Sequence, residues 1–215
     1  MKREILPNFV VLEGGDGSGT TTQLKLLRKR FDEKKDGPRL PPLYPSFEPT
    51  DGPVGGLIRS ALGGEIKLLP ETLARLFAGD RNEHINAPGG IGERCRRGEL
   101  VVCDRYILSS FVYQGITCGE ELPRMLNESF PFPELTFFFD LDPETAQGRL
   151  GSRPFREIYE GRDFQFQVRE GYYRVLDWYR DLGGRAEIID ASRPPGEVAE
   201  AVWKVLEKLP IMGKE

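Results

Sequence analysis

The chain has 215 residues, which is enough for one domain with a substantial hydrophobic core. Hydrophobic residues make up 39% of it and charged residues 30%, a balance typical of a folded globular protein. The net charge of −4 argues against a protein whose main task is to bind nucleic acid polymers, but it is compatible with a local basic pocket for a small phosphate ligand.

The sequence predicts neither membrane insertion nor disulfide bonding. No apolar run approaches the ~18 residues that a membrane-spanning helix needs, and MKREILPN at the N-terminus lacks the apolar stretch of a signal peptide. Cys95, Cys103 and Cys118 have neither CxxC nor zinc-site spacing, so we expect reduced structural thiols. We therefore expect a cytoplasmic protein without a membrane partner.

Apolar runs that end at glycines or acidic residues predict buried β-strands. The clear runs are 9–13 (FVVLE), 100–104 (LVVCD), 135–142 (LTFFFDLD) and 186–192 (AEIIDAS). A weaker candidate at 43–47 lies within the proline-rich stretch 40–53, which otherwise indicates a loop.

Between these strands, apolar residues recur at helical spacing. The pattern predicts a helix from about 24 to 36–38, one at 54–62, one at 70–97 interrupted at 87–90, and two more around 168–179 and 198–209. Because strands alternate with helices, we expect an α/β fold with a parallel sheet covered on both faces. The sequence has neither a repeat nor an interdomain linker, so we expect a single domain over residues 1–215.

The stretch GGDGSGTTTQ (14–23) lies between a predicted strand and a predicted helix, as a phosphate-binding loop does. Gly14 and Gly19 fit the G-x-x-x-x-G frame, whose backbone N–H groups surround phosphate oxygens at the start of a helix. The Thr21 hydroxyl is in the position that ligates Mg²⁺. The alternatives are a dinucleotide-binding turn, which would need a third glycine where Thr20 stands, and a glycine turn without a ligand.

Thr20 also stands where a phosphate loop has its lysine. A hydrogen bond to a charged group contributes ~1.5–3 kcal/mol, so losing the lysine costs about 10- to 150-fold unless other groups replace it. Backbone N–H groups, Mg²⁺ and arginines would remain. Weakened or rearranged catalysis is therefore a better interpretation than its complete loss.

Two further groups of charged residues suggest ligand contacts. Asp104 ends the strand at 100–104 and Arg105 follows it, and ligands of open α/β sheets bind at strand carboxyl ends, although a simple ion pair is the alternative. Phe77 and Arg81 share a helix face and could bind a base, although a core ring beside a surface arginine would give the same spacing. His84, the only histidine, has no visible partner, and we expect it at the surface.

The segment 149–164 contains Arg149, Arg153, Arg156 and Arg162, interrupted by glycines and a proline. One interpretation is a solvated helix face. The other is a lid that brings arginines to a transferring phosphate and excludes water from it.

Together these motifs resemble those of the thymidylate kinase family, P-loop kinases that phosphorylate dTMP with ATP. The resemblance covers nearly the whole chain in order and rests on FVVLEGGDGSGTTTQ, FEPTDGPVGGLIR, LFAGDRNEH, LVVCDRYILSSFVYQG, LTFFFDLDPE, the arginine-rich segment and IIDAS. It implies the P-loop kinase fold: a five-stranded parallel sheet flanked by helices, with an arginine-rich lid at about 149–163. It also implies ATP as phosphoryl donor, Mg²⁺ as cofactor and a homodimer.

The resemblance implies roles for the residues that would bind dTMP, the phosphoryl acceptor. Asp16 would face the deoxyribose 3′-hydroxyl, Phe77 would stack on thymine and Arg81 would bond the base edge. Arg105 would hold the dTMP phosphate, and Tyr113 would crowd the 2′ position. The implied dTMP-binding residues are Asp16, Glu48, Arg59, Phe77, Arg81, Arg105, Ser109, Ser110 and Tyr113.

The other implied roles concern ATP, the metal and catalysis. Because the loop has Ser18 where some members have an arginine, the catalytic arginine is expected in the lid, with Arg153 the first candidate. The metal ligands would be Thr21 and Asp104, and the catalytic residues Asp16, Asp104, Arg105 and Arg153. The ATP-binding residues would be Gly14, Gly15, Gly17, Ser18, Gly19, Thr20, Thr21, Thr22, Arg149 and Arg156.

Two departures from the family pattern leave alternatives open. Thr20 replaces the lysine, and Phe47 stands where many bacterial members have an arginine. The leading hypothesis is an active dTMP kinase, and the alternative is a weakened or inactive nucleotide-binding relative. A kinase for another nucleoside monophosphate is a third possibility, against which Phe77, Arg81 and Tyr113 argue.

Overall fold

The computed structural model describes residues 3–33, 40–150, 159 and 161–213. Its centre is a five-stranded sheet in which every pairing is parallel, in the order β2-β3-β1-β4-β5. The strands are β1 (Ile5–Gly14), β2 (Leu43–Phe47), β3 (Leu100–Asp104), β4 (Phe132–Asp140) and β5 (Ala186–Asp190). The predicted parallel α/β sheet is thus confirmed, including the weak candidate at 43–47.

β1 begins four residues before the apolar run that predicted it. Ile5 and Leu6 pair with the start of β4, and the register then shifts before pairing resumes at Val10. Asn8 lies in this irregularity with a φ of 65°. This irregularity separates Ile5 and Leu6 from the apolar run at 9–13. The first part of the strand was therefore not predicted from an uninterrupted apolar run.

Helices connect the strands and cover both faces of the sheet. Those before β4 are α1 (Thr20–Glu33), α2 (Pro53–Leu62), α3 (Pro70–Asn86), α4 (Ile91–Arg96), α5 (Ile107–Ser109), α6 (Gly115–Cys118) and α7 (Glu121–Leu126). Those after it are α8 (Pro143–Leu150), α9 (Arg162–Asp181) and α10 (Pro195–Leu206), followed by a 3₁₀ turn at Pro210–Gly213. The predicted interruption at 87–90 is confirmed, whereas the predicted end of the first helix lies outside the described residues.

The sequence pattern gave no helix for residues 107–118, where α5 and α6 are joined by a π-helical turn over Ser110–Gln114. All five residues of that turn are buried. An amphipathic pattern requires one solvated face, so a helix buried on all sides does not produce it. π-Helical turns are frequent at functional sites, and this one lines the cavity described below.

Alternate residues of each strand contribute to two separate cores. In β1, Val11 packs on one side of the sheet and Val10 and Leu12 pack on the other. The first side is covered mainly by α2, α3 and α9, and the second by α1 and α10. Apolar burial on both faces explains why the strands appear as continuous apolar runs. Cys95, Cys103 and Cys118 are free thiols, as predicted.

Helix α2 approaches the loop after β2 so closely that one position tolerates only glycine. A Cβ built on Gly55 would lie 1.9 Å from the backbone oxygen of Thr50, whereas one built on Gly56 meets no described atom within 4 Å. We expect Gly55→Ala to lower the free energy of unfolding by about 1–3 kcal/mol through overpacking. Gly56→Ala, the matched control, should raise it by about 0.5–1 kcal/mol because alanine is the better helix former. Urea denaturation measures both, and equal effects would contradict the close approach.

Candidate active site

A cavity of about 1000 Å³ lies at the carboxyl ends of the strands. The loop after β1 lines its middle, because β1 is the central strand. The ends of β2 and β3 and the helical segment 107–118 line one side, and residues 191–195 after β5 line the other. The order of the strands therefore creates two compartments that share one glycine-rich loop, at the edge where parallel α/β sheets bind their ligands.

The loop has the backbone geometry that a phosphate-binding turn requires. Gly17 and Gly19 have φ angles of 82° and 94°, a region that side chains other than glycine rarely adopt. A Cβ on Gly17 would also lie 2.8 Å from the backbone oxygen of Ala146 in α8. Helix α1 begins directly after the loop at Thr20, so its first N–H groups are available to an anion at its N-terminus.

The two residues predicted as metal ligands lie in contact. The Thr21 hydroxyl donates a hydrogen bond of 2.6 Å to Oδ2 of Asp104. Oδ1 of Asp104 is buried and has no partner among the described residues. The described part of the chain contains no cluster of three or more His, Cys, Asp or Glu side chains that could hold a metal. One hydroxyl and one carboxylate nevertheless fit Mg²⁺, which usually completes its octahedron with water and substrate phosphates.

Arg105 occupies a strained backbone position directly after β3. Its φ is 70°, which is uncommon outside glycine and typical of functional positions that the surrounding structure fixes. Its guanidinium donates to the backbone oxygen of Gly14 at 2.9 Å and to Oδ1 of Asp16 at 2.6 Å. It also lies within 3.3 Å of the Ser109 and Tyr113 hydroxyls. The ion pair of Arg105 is formed with Asp16 of the glycine-rich loop and not with its neighbour Asp104, and it joins the phosphate loop to the wall of the cavity.

The buried carboxylate of Glu13 fixes the segment that directly follows Arg105. This residue was not identified from the sequence. Oε1 accepts the Tyr106 N–H at 2.9 Å, and Oε2 accepts the Ser109 hydroxyl at 2.6 Å and the Tyr172 hydroxyl at 3.0 Å. Burial raises the pKa of Glu13, although the bonds from Ser109 and Tyr172 and the charge of Arg105 oppose this effect. The available signal was a charged residue that ends the apolar run FVVLE.

The β2–β3 side of the cavity combines aromatic and hydrogen-bonding groups. Phe77 and Arg81 both line it, as their shared helix face predicted, and Ser110 and Tyr113 join them. Gln114, which the sequence analysis missed, lines the same side, and its buried Oε1 has no partner among the described residues. A buried acceptor without a donor is costly unless a ligand or water supplies one.

Arg81 is buried, with 1% of its surface exposed, which excludes the alternative of a surface arginine. Its guanidinium forms an ion pair of 2.7 Å with Oε2 of Glu48 and donates to the Ser110 hydroxyl at 3.0 Å and to the Asn127 side chain. His84 contacts the other oxygen of Glu48 at 3.1 Å. The prediction of a surface His84 was wrong, because residues distant in sequence surround it.

Asp16 is fixed from a second direction by Gln165 of α9. The Gln165 amide donates to Oδ2 of Asp16 at 2.7 Å and to the Tyr159 carbonyl at 2.8 Å, and its oxygen accepts the Asp16 N–H at 3.2 Å. The sequence analysis did not identify Gln165. This buried side chain links the phosphate loop to the end of the arginine-rich segment.

The arginines predicted for the lid divide into three groups. Arg149 lines the cavity beside the β5 end and donates to the Ser192 carbonyl at 3.2 Å. Arg162 forms an exposed ion pair with Glu144. Arg153 and Arg156 lie outside the described residues.

Most residues predicted for the site meet at this one cavity. Those that line it are Gly15, Asp16, Gly17, Ser18, Gly19, Thr20, Thr21, Thr22, Glu48, Arg59, Phe77, Arg81, Asp104, Arg105, Ser109, Ser110, Tyr113 and Arg149. Gly14 ends β1 just beneath it, and its carbonyl accepts the bond from Arg105. Arg59 is directed to the backbone of the adjacent loop, with a bond of 3.0 Å to the Pro49 carbonyl.

Comparison with known proteins shows the family of the chain. The family model "Thymidylate kinase" matches residues 12–202. The chain belongs to the thymidylate kinase family. It is 40% identical to a putative thymidylate kinase of Treponema pallidum (strain Nichols), over 86% of this chain and 87% of that protein. It is 38% identical to a probable thymidylate kinase of Pyrobaculum aerophilum, over 94% and 97% of the two chains.

A probable thymidylate kinase of Methanococcus maripaludis (strain S2) is 39% identical, over 94% of this chain and 96% of that protein.

Within the thymidylate kinase fold of this chain, Thr20 is the first residue of α1 and is mostly buried at the cavity. In the described ranges, no helix is both long and apolar enough to cross a bilayer.

The burial of Glu13 predicts a pH-dependent stability difference. A carboxyl whose pKa is raised in the folded state stabilises the fold below its ordinary range near 4.5, and this contribution is lost as pH rises through the folded pKa. In Glu13→Gln the amide oxygen can still accept the backbone N–H bonds of Tyr106 and Ser109. The amide nitrogen would donate to the Ser109 and Tyr172 hydroxyls, which would then accept instead of donating. We expect the stability of Glu13→Gln relative to wild type to increase between pH about 5 and about 8. Urea denaturation across this range tests this, and a constant difference would reject the raised pKa.

Proposed function

We propose that this chain transfers the γ-phosphoryl group of ATP to dTMP, producing ADP and dTDP. The observation that supports this most directly is the division of one cavity by the glycine-rich loop. A wall of Phe77, Arg81 and Gln114 lies on one side, and Arg149 lies on the other. Two nucleotides bound on the two sides would meet with their phosphates at the loop. The relatives' names as thymidylate kinases agree with this assignment.

ATP would occupy the side next to β5. The N–H groups of the glycine-rich loop would surround its phosphates, and the N-terminus of α1 would favour their negative charge. The base would lie toward residues 191–195, where Arg149 also lines the cavity. This placement brings the γ-phosphate toward Arg105.

Mg²⁺ would be held by Thr21 and Asp104, whose free oxygen Oδ1 is the group that most needs a cation. When bound, Mg²⁺ neutralises charge on the β- and γ-phosphates. The contribution of the chain is to keep the hydroxyl and the carboxylate together beside the loop. Asp104 is the last residue of β3 and pairs with Leu12 of β1, so the sheet holds its carboxylate beside the loop that follows β1.

dTMP would occupy the side next to β2 and β3. Arg105 would bind its phosphate, and Asp16 would accept a hydrogen bond from the 3′-hydroxyl. Phe77 would stack on thymine beside Arg81. Oε1 of Gln114 has no donor among the residues that the structure describes, which suits the N3–H of thymine. Cytosine has no N3–H, so the same oxygen would disfavour it.

The acceptor phosphate is already anionic at neutral pH, so the transfer needs no strong general base. The main tasks of the chain are to align the two phosphates and to place positive charge around the transferring group. Arg105 is suited to the first task because its guanidinium is held by Gly14 and Asp16. Arg153 and Arg156 would supply charge from the lid.

The homodimer, the cytoplasmic location and the single domain over 1–215 remain predictions. The alternative of an inactive relative rests only on Thr20. The positive φ angles of the loop glycines, the Thr21–Asp104 contact and the Arg105–Asp16 ion pair support the active alternative. We therefore favour an active enzyme whose phosphate loop works without lysine.

The substrate assignment is tested by a coupled assay of purified protein with ATP and a panel of nucleoside monophosphates. We expect dTMP to be the best acceptor, dUMP to be weaker because it lacks the methyl group, and UMP to be poor because Tyr113 restricts the 2′ position. dCMP separates base recognition from sugar recognition, since it shares the deoxyribose of dTMP. Turnover of CMP or AMP at a rate comparable to dTMP would reject the proposal.

The missing lysine gives a second prediction. Thr20→Lys should raise kcat by roughly tenfold or more, because an ammonium group would add a charged hydrogen bond to the phosphates. Thr72→Lys adds the same charge at an exposed position in the first turn of α3 and should leave kcat unchanged. Steady-state kinetics with dTMP and ATP measure both variants. An unchanged kcat in Thr20→Lys would mean that other groups already fill the role of the lysine. An inactive wild-type protein together with a highly active variant would instead support the hypothesis of an inactive nucleotide-binding relative.

A further inference from the structure

The sole histidine lies inside a chain of polar side chains that ends at the base-binding wall. Nε2 of His84 is 2.5 Å from the Ser46 hydroxyl, and Nδ1 is 3.1 Å from Oε1 of Glu48. Oε2 of Glu48 pairs with Arg81, which reaches Ser110. The side chains of His84, Glu48 and Arg81 are 9%, 2% and 1% exposed, so water cannot readily replace a lost contact.

The donor and acceptor roles along this chain follow from its charges. Arg81 is an obligatory donor and pairs with Oε2 of Glu48, and the other oxygen of this carboxylate is also an acceptor. Nδ1 of His84 must therefore donate to Glu48. In a neutral ring Nε2 is then the acceptor, and the Ser46 hydroxyl donates to it.

We propose that His84 is a positioning residue for the acceptor base: it fixes the carboxylate of Glu48 and thereby the orientation of Arg81 at the cavity. This inference deepens the proposed function and depends on it. Arg81 has five N–H donors, and four of them are directed to Glu48, Ser110 and Asn127. The remaining donor, on Nη2, has no partner among the described residues and can serve a base, so its direction depends on how the guanidinium plane is held.

A separate contact secures the loop that contains Glu48, which allows the two effects to be distinguished. Asp80, also on α3, accepts the Thr50 N–H at 2.7 Å and the Thr50 hydroxyl at 2.6 Å. This clamp does not involve His84. Loss of the His84–Glu48 contact should therefore leave the loop attached to α3, while the carboxylate of Glu48 is held by Arg81 alone.

Substitution of His84 by asparagine or by glutamine distinguishes the contributions of its two ring nitrogens. In His84→Asn the side-chain amide lies near the position of Nδ1 and can still donate to Glu48. In His84→Gln it reaches the position of Nε2 and retains the contact with Ser46. Both variants remove the ring, so each is the control for the other. Isothermal titration calorimetry with dTMP in the absence of ATP measures the acceptor site without turnover, and a nonhydrolysable ATP analogue measures the donor site.

We expect the Kd for dTMP to rise by about tenfold in His84→Gln, since a hydrogen bond to a buried charge is lost. In His84→Asn it should rise by no more than about threefold, because only a bond to a neutral hydroxyl is lost. The Kd for the ATP analogue should be unchanged in both. A purely structural role would weaken both ligands, or would affect the two variants equally.

Ser46→Ala keeps the experiment decisive if His84→Gln does not fold, as judged by thermal denaturation. It removes the partner of Nε2 and leaves the contact between Nδ1 and Glu48 in place, so the Kd for dTMP should rise by no more than about threefold. A tenfold rise of the Kd for dTMP in Ser46→Ala or His84→Asn, or equal Kd values in His84→Asn and His84→Gln, would overturn the role proposed for His84. It would leave the proposed function intact. Failure of the wild-type protein to bind dTMP would overturn the proposed function and this inference with it.

Discussion

The site depends on one buried carboxylate, that of Glu13 at the end of the central strand. It accepts hydrogen bonds from the backbone and side chains of residues 106–109 and from Tyr172 of α9. Three parts of the chain that are far apart in sequence are thus joined at one point. The strained backbone of Arg105 lies directly beside this point, and strain of this kind persists only where neighbouring contacts determine the conformation.

A second carboxylate, Glu48, organises the base-binding side in the same way. It lies between Arg81 and His84, and neither Arg81 nor Glu48 is appreciably exposed. Burying an ion pair costs much of the energy that the attraction returns, so such a pair is weak evidence for stability. Its position at the wall of the cavity agrees better with a role in holding donors in a fixed direction.

The sheet explains how two substrates could meet without a large rearrangement of the core. β1 is central, β2 and β3 lie on one side, and β4 and β5 lie on the other. The loop after β1 therefore separates the two compartments while both reach it. Fixing two reacting phosphates in one geometry lowers the entropic part of the barrier, and a rigid parallel sheet is well suited to hold that geometry.

The sequence by itself determined the elements whose signals are local. Apolar runs located four of the five strands, and β2 matched only a weak candidate in a proline-rich stretch. APGG located the break between α3 and α4, and the spacing of Phe77 and Arg81 placed both on one face. The ordered motifs identified the family and most residues of the cavity. These signals survive because periodicity and glycine chemistry depend on neighbours along the chain.

Only the tertiary structure decided which polar groups are buried together. Glu13, Gln165 and the partners of His84 could not be assigned from sequence, because these contacts join residues from 36 to 159 positions apart. The π-helical turn Ser110–Gln114 was missed for a related reason, since a helical turn whose residues are all buried has no polar face to reveal its period. Burial and proximity are properties of the packed chain, and a hydrogen bond across the sheet leaves no periodic trace in the sequence.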